Sequence, residues 1–319
     1  MSSPNDIMHL GILLGVASAL MWAALDAMRK SISAEVSPSG LLVGLHLPQV
    51  PLLIGLLLLG WSRGGAPEDP WTVMLGAGPP TGWFGANYLV PAGISLALAL
   101  VSNVLFLRAV RLSPLSLTIP YLSFTPIFSA LGALALYGES PTPWGWVGIA
   151  VVSVGAFLLN PGEREDGLLA PVKALWTERG SLYMLGVALC WSATAIYDRQ
   201  ASGLTSASWH ALMLTLGILA CVVTYRVGRD RSLAPLGEEL RHRTGFQFGA
   251  GALLLGAMVV QMTAYHILGV GYVETLKRAI GVVGAIVVGF VVFGETDLGQ
   301  RLVAAAFIAV GVAILILGG

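Results

Sequence analysis

Ten apolar segments of spanning or near-spanning length divide this chain, and they constrain its fold more than any other feature of the sequence. The hydrocarbon core of a bilayer is about 30 Å thick, which a helix of about 20 apolar residues crosses. Soluble domains carry about 25% charged residues. Here only 11% of the 319 residues are charged and 56% are hydrophobic. We therefore predict an all-α membrane protein with ten transmembrane helices. The predicted spans are 8–31, 39–60, 88–109, 114–137, 143–160, 181–201, 207–227, 246–267, 271–293 and 299–317.

The sequence also contains an internal repeat. Trp22 in the first span corresponds to Trp191 in the sixth, and the same offset pairs Lys30 with Arg199. The Gly-Glu pair at positions 138 and 139 likewise corresponds to the pair at 294 and 295. These matches predict a duplicated unit of five helices, and an odd number of helices places the second copy upside down in the membrane. Secondary transporters recurrently use such inverted repeats and bind substrate near the midplane between the halves.

The predicted repeats cover residues 8–160 and 181–317, and residues 161–180 connect them. The connecting segment has the pattern of a short amphipathic helix on the membrane surface, and a plain linker is an equal alternative. Prolines are expected to bend two of the spans because they interrupt backbone hydrogen bonding. These are Pro48 and Pro51 in the second span, and Pro120 and Pro126 in the fourth.

Three charged residues lie inside the ninth predicted span. Tyr272–Phe293 would extend about 33 Å as a helix, at roughly 1.5 Å per residue. Glu274, Lys277 and Arg278 stand three and four positions apart, so they share one face. The small residues Gly281, Ala285 and Gly289 continue that face and would let another helix approach closely. An intramembrane charge costs several kcal/mol unless it faces protein or water, so this face is predicted to look inward and to carry a functional site.

A family resemblance accompanies this pattern. The run SPLSLTIPYLSFTPIFSALGALALYGESPTPWGWVGIAVVSVGAFLLN, from Ser113 to Asn160, resembles the EamA domain of the drug/metabolite transporter superfamily. The second copy ends with a similar Gly-Glu turn and a helix punctuated by glycine. The resemblance implies ten helices, no ATP hydrolysis, and transport of small metabolites by alternating access.

A narrower resemblance concerns the substrate. LKRAIGVVGAIVVGFVVFGE is similar to the ninth helix of plastid triose-phosphate translocators, in which an adjacent Lys-Arg pair holds the phosphate. The resemblance implies that Lys277 and Arg278 bind a phosphate group together with Arg199, which replaces a lysine of that family on the sixth helix. Lys30 joins this set as a candidate substrate ligand because it corresponds to Arg199 across the repeat.

The charges allow more than one interpretation. Arg offers a planar fork and Lys a mobile point charge, which together suit a phosphate or carboxylate. In the alternative, Glu274 neutralises Lys277 or Arg278, and Asp26 or Asp198 balances the remaining cation in a purely structural network. A rival function is proton-coupled export of amino acids or cationic metabolites that uses Glu274. A flippase for a phosphate-bearing lipid is a third hypothesis.

Several other residues are candidates for lining the substrate route. Trp22 and Trp191 lie in the middle of their spans, where they could wall a pocket or serve tight helix packing. The polar residues inside apolar spans could line the route, and hydrogen bonds between helices explain them equally well. These residues are Asn103, Tyr121, Gln261 and Tyr265.

The sequence argues against an enzyme. It contains no zinc-binding His-Glu-x-x-His, no phosphate-binding glycine loop with lysine, no Gly-x-Ser-x-Gly elbow and no cluster of cysteine ligands. We expect no cofactor and no metal, and the zero net charge argues against a nucleic-acid partner. The expected partners are a small-molecule substrate and membrane lipids, and a homodimer is an open alternative.

The expected location is a bacterial inner (plasma) membrane, which the chain crosses several times. Most Lys and Arg residues follow odd-numbered spans, which favours both termini outside the cytoplasm, whereas the resemblance implies both inside.

Overall fold

The structure of this chain is a computed structural model, and it describes residues 4–32, 35–63, 70–76, 86–113, 118–158, 177–241, 243–293 and 299–317. Within these ranges the regular structure is helical. The first helices are α1 (Pro4–Ile32), α2 (Pro38–His46), α3 (Gln49–Arg63), α4 (Pro70–Leu75) and α5 (Ala86–Leu112). A 3₁₀ helix (Ile119–Phe124) precedes α6 (Thr125–Tyr137) and α7 (Pro143–Leu158). The rest are α8 (Arg179–Leu204), α9 (Ala207–Asp230), α10 (Ala234–Arg241), α11 (Thr244–Leu268), α12 (Val270–Phe293) and α13 (Gly299–Leu317).

The prediction of an all-α, multi-pass membrane protein is confirmed. Among the described residues, 7 helical stretches are long and apolar enough to cross a membrane. They are Asp6–Asp26, Pro38–Ser62, Asn87–Ala109, Pro120–Tyr137, Arg179–Leu204, Ala207–Asp230 and Thr244–Leu268. Pro143–Leu158 and Val303–Leu317 are shorter apolar helices. The total of ten spans and the inverted repeat stay predictions.

Prolines interrupt two of the spans, as the sequence indicates. In the second span α2 ends at His46 and α3 begins at Gln49, on either side of Pro48. Proline has no backbone N–H to continue the helical bonding. The side-chain amide of Gln49 donates instead to the carbonyl of Leu45, at 2.9 Å. In the fourth span the 3₁₀ helix contains Pro120, and α6 begins at Thr125 and ends at Tyr137. Gly138 follows as its C-cap in the left-handed conformation (φ 69°).

Helix contacts divide the chain into two units. Unit 1 comprises Met1–Met8, Ala97–Ile196 and Ile267–Gly319, and unit 2 comprises His9–Leu96 and Tyr197–His266. In unit 1 a buried cluster joins α6, α7, α12 and α13 through Ala130, Ile149, Leu276 and Leu315. In unit 2 the largest cluster joins α3, α9 and α11, with Leu53, Ala211 and Leu255 among its members.

The α7 and α13 helices of unit 1 cross at glycines. A Cβ atom on Gly148 would lie 2.8 Å from the carbonyl oxygen of Gly311, and one on Gly311 would lie 2.8 Å from the backbone nitrogen of Val152. Both distances are shorter than any ordinary contact, so only hydrogen fits on either side. The two backbones therefore touch directly, as small residues allow in membrane helices.

Candidate functional site

The charged cluster of α12 lies in unit 1, near the start of that helix. Gly269, with φ 83°, precedes α12, and the phenol oxygen of Tyr272 accepts from the backbone N–H of Thr142 at 3.3 Å. Gly271 packs so closely on α6 that a Cβ there would lie 2.9 Å from the Cβ of Ala130. The first turn of α12 is thus anchored to the segment that joins α6 and α7. This anchoring fixes the position of the charges that follow.

Glu274 and Lys277 form an ion pair within this cluster. The ammonium of Lys277 donates to a carboxylate oxygen of Glu274 at 2.6 Å, between residues three apart on the same helix. The side chain of Glu274 is 3% exposed and that of Lys277 is 28% exposed. Arg278, the next residue, is partly buried. One carboxylate cannot balance two cations, so the cluster of Glu274, Lys277 and Arg278 carries a net charge of +1.

The face beyond the cations continues at Gly281, one turn further along α12. A Cβ atom added to Gly281 would meet no atom within 4 Å among the described residues. The close approach of a second helix at this position stays a prediction. The side chains of Ala285 and Gly289, predicted to continue the same face, lie outside the part of the chain that is described.

The other predicted residues of unit 1 occupy packing positions. Trp191 is 38% exposed, and its ring stacks on that of Phe106 with centroids 6.2 Å apart. The side-chain amide of Asn103 donates to the carbonyl of Ala99 at 2.7 Å, within its own helix. Tyr121 is buried in the cluster that joins α5, the 3₁₀ helix and α8.

Unit 2 brings three of the predicted pocket residues together. The indole N–H of Trp22 on α1 donates to the side-chain oxygen of Gln261 on α11, and the amide nitrogen of Gln261 donates to the hydroxyl of Tyr265. These bonds link α1 to α11, which is the interhelical hydrogen bonding expected as one alternative. The guanidinium of Arg29 lies over the Trp22 ring, 5.5 Å from its centroid.

The carboxylates proposed as further counter-charges both have partners within unit 2. Asp26 pairs with Arg29 at 3.5 Å, between residues three apart on α1. Asp198 pairs with His210, with 3.1 Å between the carboxylate oxygen and Nε2. Arg199 is partly buried on α8. The side chain of Lys30 lies outside the described residues, so its role as a substrate ligand stays a prediction.

Asp198 belongs to a buried polar cluster that the sequence analysis missed. Ser95 on α5 donates to the carboxylate, and Tyr88 on the same helix places its hydroxyl 3.3 Å from Nδ1 of His210. His210 lies just inside α9, whose first turn is capped by Ser206, because the Ser206 hydroxyl accepts from the backbone N–H of Trp209 at 3.2 Å. A histidine inside an apolar span, with a carboxylate in the preceding span, was the available signal.

A second missed cluster surrounds Arg226 near the end of α9. Its side chain is 5% exposed, and it contacts Asp230 at 2.9 Å and Glu239 of α10 at 3.0 Å. It also donates to the hydroxyls of Ser39 at 3.1 Å and Ser37 at 3.3 Å, at the start of α2. A buried arginine with this many acceptors joins three helix ends.

Comparison with known proteins adds information on the family. Residues 9–160 match the EamA-like transporter family. Over 74 residues the chain is 36% identical to proteins of Yersinia pestis and Yersinia pseudotuberculosis named "Probable 4-amino-4-deoxy-L-arabinose-phosphoundecaprenol flippase subunit ArnE". That match covers 23% of this chain and 62% of each relative.

A solved crystal structure of a protein also matches nearly the whole chain. The TM-score is 0.62 at 18% sequence identity, over 96% of this chain and 97% of the other. At this identity the match indicates a shared fold and nothing about substrate.

Proposed function

We propose that this chain is an EamA-type transporter of the drug/metabolite transporter superfamily, because residues 9–160 match that family, and that it moves a small anionic or phosphorylated metabolite across the membrane. The cycle is secondary active transport by alternating access. In this proposal Lys277 and Arg278 bind the anionic group of the substrate, and Arg199 and Lys30 are further candidate ligands.

The observation that carries the proposal is the net positive charge of the α12 cluster. Two adjacent cations and a single carboxylate make up this cluster, and Glu274 bonds Lys277. In the proposal a phosphate or carboxylate of the substrate joins the cluster, and the fork of Arg278 beside the ammonium of Lys277 suits two of its oxygens. Gly281 continues the same helix face by one turn, and no atom of the described residues lies within 4 Å of a Cβ added there. In the proposal the anionic group of the substrate lies on this face, next to the cations.

The test measures the thermal stability of the purified chain against phosphorylated compounds, carboxylates, amino acids and organic cations. A ligand at a hundred times its dissociation constant adds about 2.7 kcal/mol to the stability, which shifts a melting curve measurably. We expect phosphorylated compounds or carboxylates to stabilise the parent, and the shift to disappear in Lys277→Gln and in Arg278→Gln.

Arg229→Gln is the matched control, because Arg229 is a cation whose side chain is 61% exposed. It should respond as the parent does. Stabilisation by amino acids or cations that survives both α12 substitutions would overturn the anion proposal. It would support instead the rival in which Glu274 couples proton movement to the export of such compounds.

A second candidate function is flipping of a phosphate-bearing lipid. It is favoured by the similarity to the Yersinia flippase subunits, whose names specify a sugar carried on phosphoundecaprenol. The same cationic cluster would bind the lipid phosphate. The assay follows a fluorescent polyprenyl phosphate in liposomes, where a membrane-impermeant quencher reports the fraction in the outer leaflet. Movement of this lipid between leaflets that requires Lys277 and Arg278, without transport of soluble phosphates, would favour the flippase.

A further inference from the structure

We propose that His210 and Asp198 form a proton-binding site that couples transport to a proton gradient. The two residues lie in unit 2, close to where α8 ends at Leu204 and α9 begins at Ala207. The inference deepens the proposed function, and its transport arm rests on it. A buried ionisable pair inside a membrane span is an indication of proton or ion handling, because such groups are otherwise costly in lipid.

The geometry gives each nitrogen of the His210 ring a partner. Nε2 lies 3.1 Å from a carboxylate oxygen of Asp198, and Nδ1 lies 3.3 Å from the hydroxyl of Tyr88. The Tyr88 ring meets the imidazole edge-on, at 90° and 6.0 Å between centroids. Ser95 donates to the same oxygen of Asp198. The imidazole is therefore held in one orientation by contacts on both sides.

This arrangement accommodates two protonation states without repacking. In the neutral ring Nε2–H donates to Asp198, and Nδ1 accepts from the Tyr88 hydroxyl. When a proton is added at Nδ1, the new N–H donates to the Tyr88 oxygen, whose own hydrogen rotates away. A phenol can act as either donor or acceptor, which makes this exchange available. The cluster of Tyr88, Ser95, Asp198 and His210 changes its net charge from −1 to 0 on binding the proton.

Burial leaves Asp198 as the most accessible member of the cluster. His210 and Ser95 are fully buried and Tyr88 is 4% exposed, whereas the side chain of Asp198 is 14% exposed. The ring binds the added proton at Nδ1, because Nε2 already carries the hydrogen of the 3.1 Å contact to Asp198. In the resulting ion pair the charged imidazole and the carboxylate neutralise each other.

The surroundings contain few other charges. α8 contributes Asp198, with Arg199 next to it in sequence, and α5 contributes Tyr88 and Ser95. On α9 itself Ser208 donates to the main-chain carbonyl of Met74 on α4, at 2.7 Å. Across the described ranges, no further side chain forms a hydrogen bond or ion pair with His210 or Asp198. The proton is therefore the simplest species that removes the −1 charge of this cluster.

The transport experiment uses the full chain in proteoliposomes with radioactive inorganic phosphate as the probe. Exchange of phosphate at equal pH on both sides tests the proposed function. Net uptake under a gradient of one pH unit, acid outside, tests the coupling, and one proton per cycle permits up to about a tenfold change in accumulation. In His210→Gln we expect the exchange to continue and the response to the gradient to be lost.

Two further variants keep the proposal testable if His210→Gln fails to fold. Tyr88→Phe preserves the ring and removes only the hydroxyl that accepts from Nδ1–H, so it should weaken the gradient response. His266→Gln is the control, because His266 is a histidine of the same unit that bonds Ser202 at 2.9 Å and lies outside the cluster. It should respond to the gradient as the parent does. A full response in His210→Gln or in Tyr88→Phe overturns the proposal.

A measurement without substrate tests the proton site independently of the proposed transport function. Nitrogen NMR of the histidine-labelled full chain, with His210→Gln to assign the signal, reports whether the ring carries one proton or two. Acidification should convert the singly protonated ring of His210 to the doubly protonated ring, and a single state at every pH at which the protein stays folded overturns the proton site. If the parent exchanges no phosphate, the proposed function fails for this probe, and the NMR result alone decides on the proton site.

Discussion

The ammonium of Lys277 lies 2.6 Å from the carboxylate of Glu274, one turn away on the same helix. The charged face of α12 is therefore an ion pair with a second cation beside it. The Glu274 side chain is almost fully buried, so the ammonium of Lys277 stabilises its negative charge. The formal charges of Glu274, Lys277 and Arg278 add up to +1.

Breaking the Glu274–Lys277 pair should destabilise the protein, and the two single substitutions should not be additive. Lys277→Gln removes the ammonium that pairs with the buried carboxylate of Glu274, and we expect a loss of about 3 kcal/mol. Glu274→Gln should cost less because Lys277 is partly exposed. The double variant should lose less than the sum of the two single losses. Unfolding in mixed micelles, followed by circular dichroism, measures all three, and additive losses would contradict a direct interaction.

Arg226 should matter more to stability than its exposed neighbour. Arg226→Gln leaves Asp230 and Glu239 without the buried cation that they share, with an expected loss of about 3 kcal/mol. Arg226→Lys keeps the charge but not the planar fork, so it should recover only part of this. Arg229→Gln, on the same helix turn but exposed, is the control. Equal melting temperatures for the two glutamine variants would show that the Arg226 cluster has no structural role.

The hydrogen-bond chain between α1 and α11 offers a third test. Tyr265 is 1% exposed, and Tyr265→Phe removes the acceptor for an N–H of Gln261 without changing the ring. The loss of a buried hydrogen-bond partner is expected to cost about 1–3 kcal/mol. Tyr225→Phe, at a tyrosine that is 59% exposed, serves as the comparison in the same thermal assay. Indistinguishable melting curves for the two variants would show that the hydrogen bond from Gln261 to Tyr265 does not stabilise the protein.

The glycine crossing of α7 and α13 should not tolerate a methyl group. Gly148→Ala introduces a Cβ atom 2.8 Å from a backbone oxygen, so the helices must separate, at an expected cost of about 1–3 kcal/mol. Gly55→Ala on α3 is the matched control. No described atom lies within 4 Å of its added Cβ, and alanine favours a helix over glycine by about 1 kcal/mol. If Gly55→Ala were destabilised and Gly148→Ala were not, the close backbone contact between α7 and α13 at Gly148 would be contradicted.

Features that depend on local sequence could be predicted well. The apolar runs predicted a helical membrane protein, and Pro48 predicted the interruption between α2 and α3, because both effects act within one segment. The resemblance to EamA-type transporters is confirmed over residues 9–160. The Glu274–Lys277 pair was one of two open alternatives, since helical spacing brings both residues onto one face and does not by itself decide whether they bond.

Features that depend on distant contacts could not be predicted. Arg226 bonds serines almost two hundred residues earlier in the chain, and His210 has a partner on α5. Trp22 and Trp191 correspond in the predicted repeat, yet Trp22 donates to Gln261 whereas Trp191 stacks on Phe106. Correspondence in sequence does not by itself determine which residues a side chain contacts. At Gly281 the close helix contact stays a prediction, because a small residue permits such contact without requiring it.

The crossing of Gly148 and Gly311 also has a consequence for biogenesis. α7 is synthesised well before α13, with α8 to α12 translated in between. Until α13 follows, the backbone surface at Gly148 lacks the helix that covers it. Completion of unit 1 is therefore a late step of assembly, and a ribosome stalled before residue 299 would leave α7 without its partner.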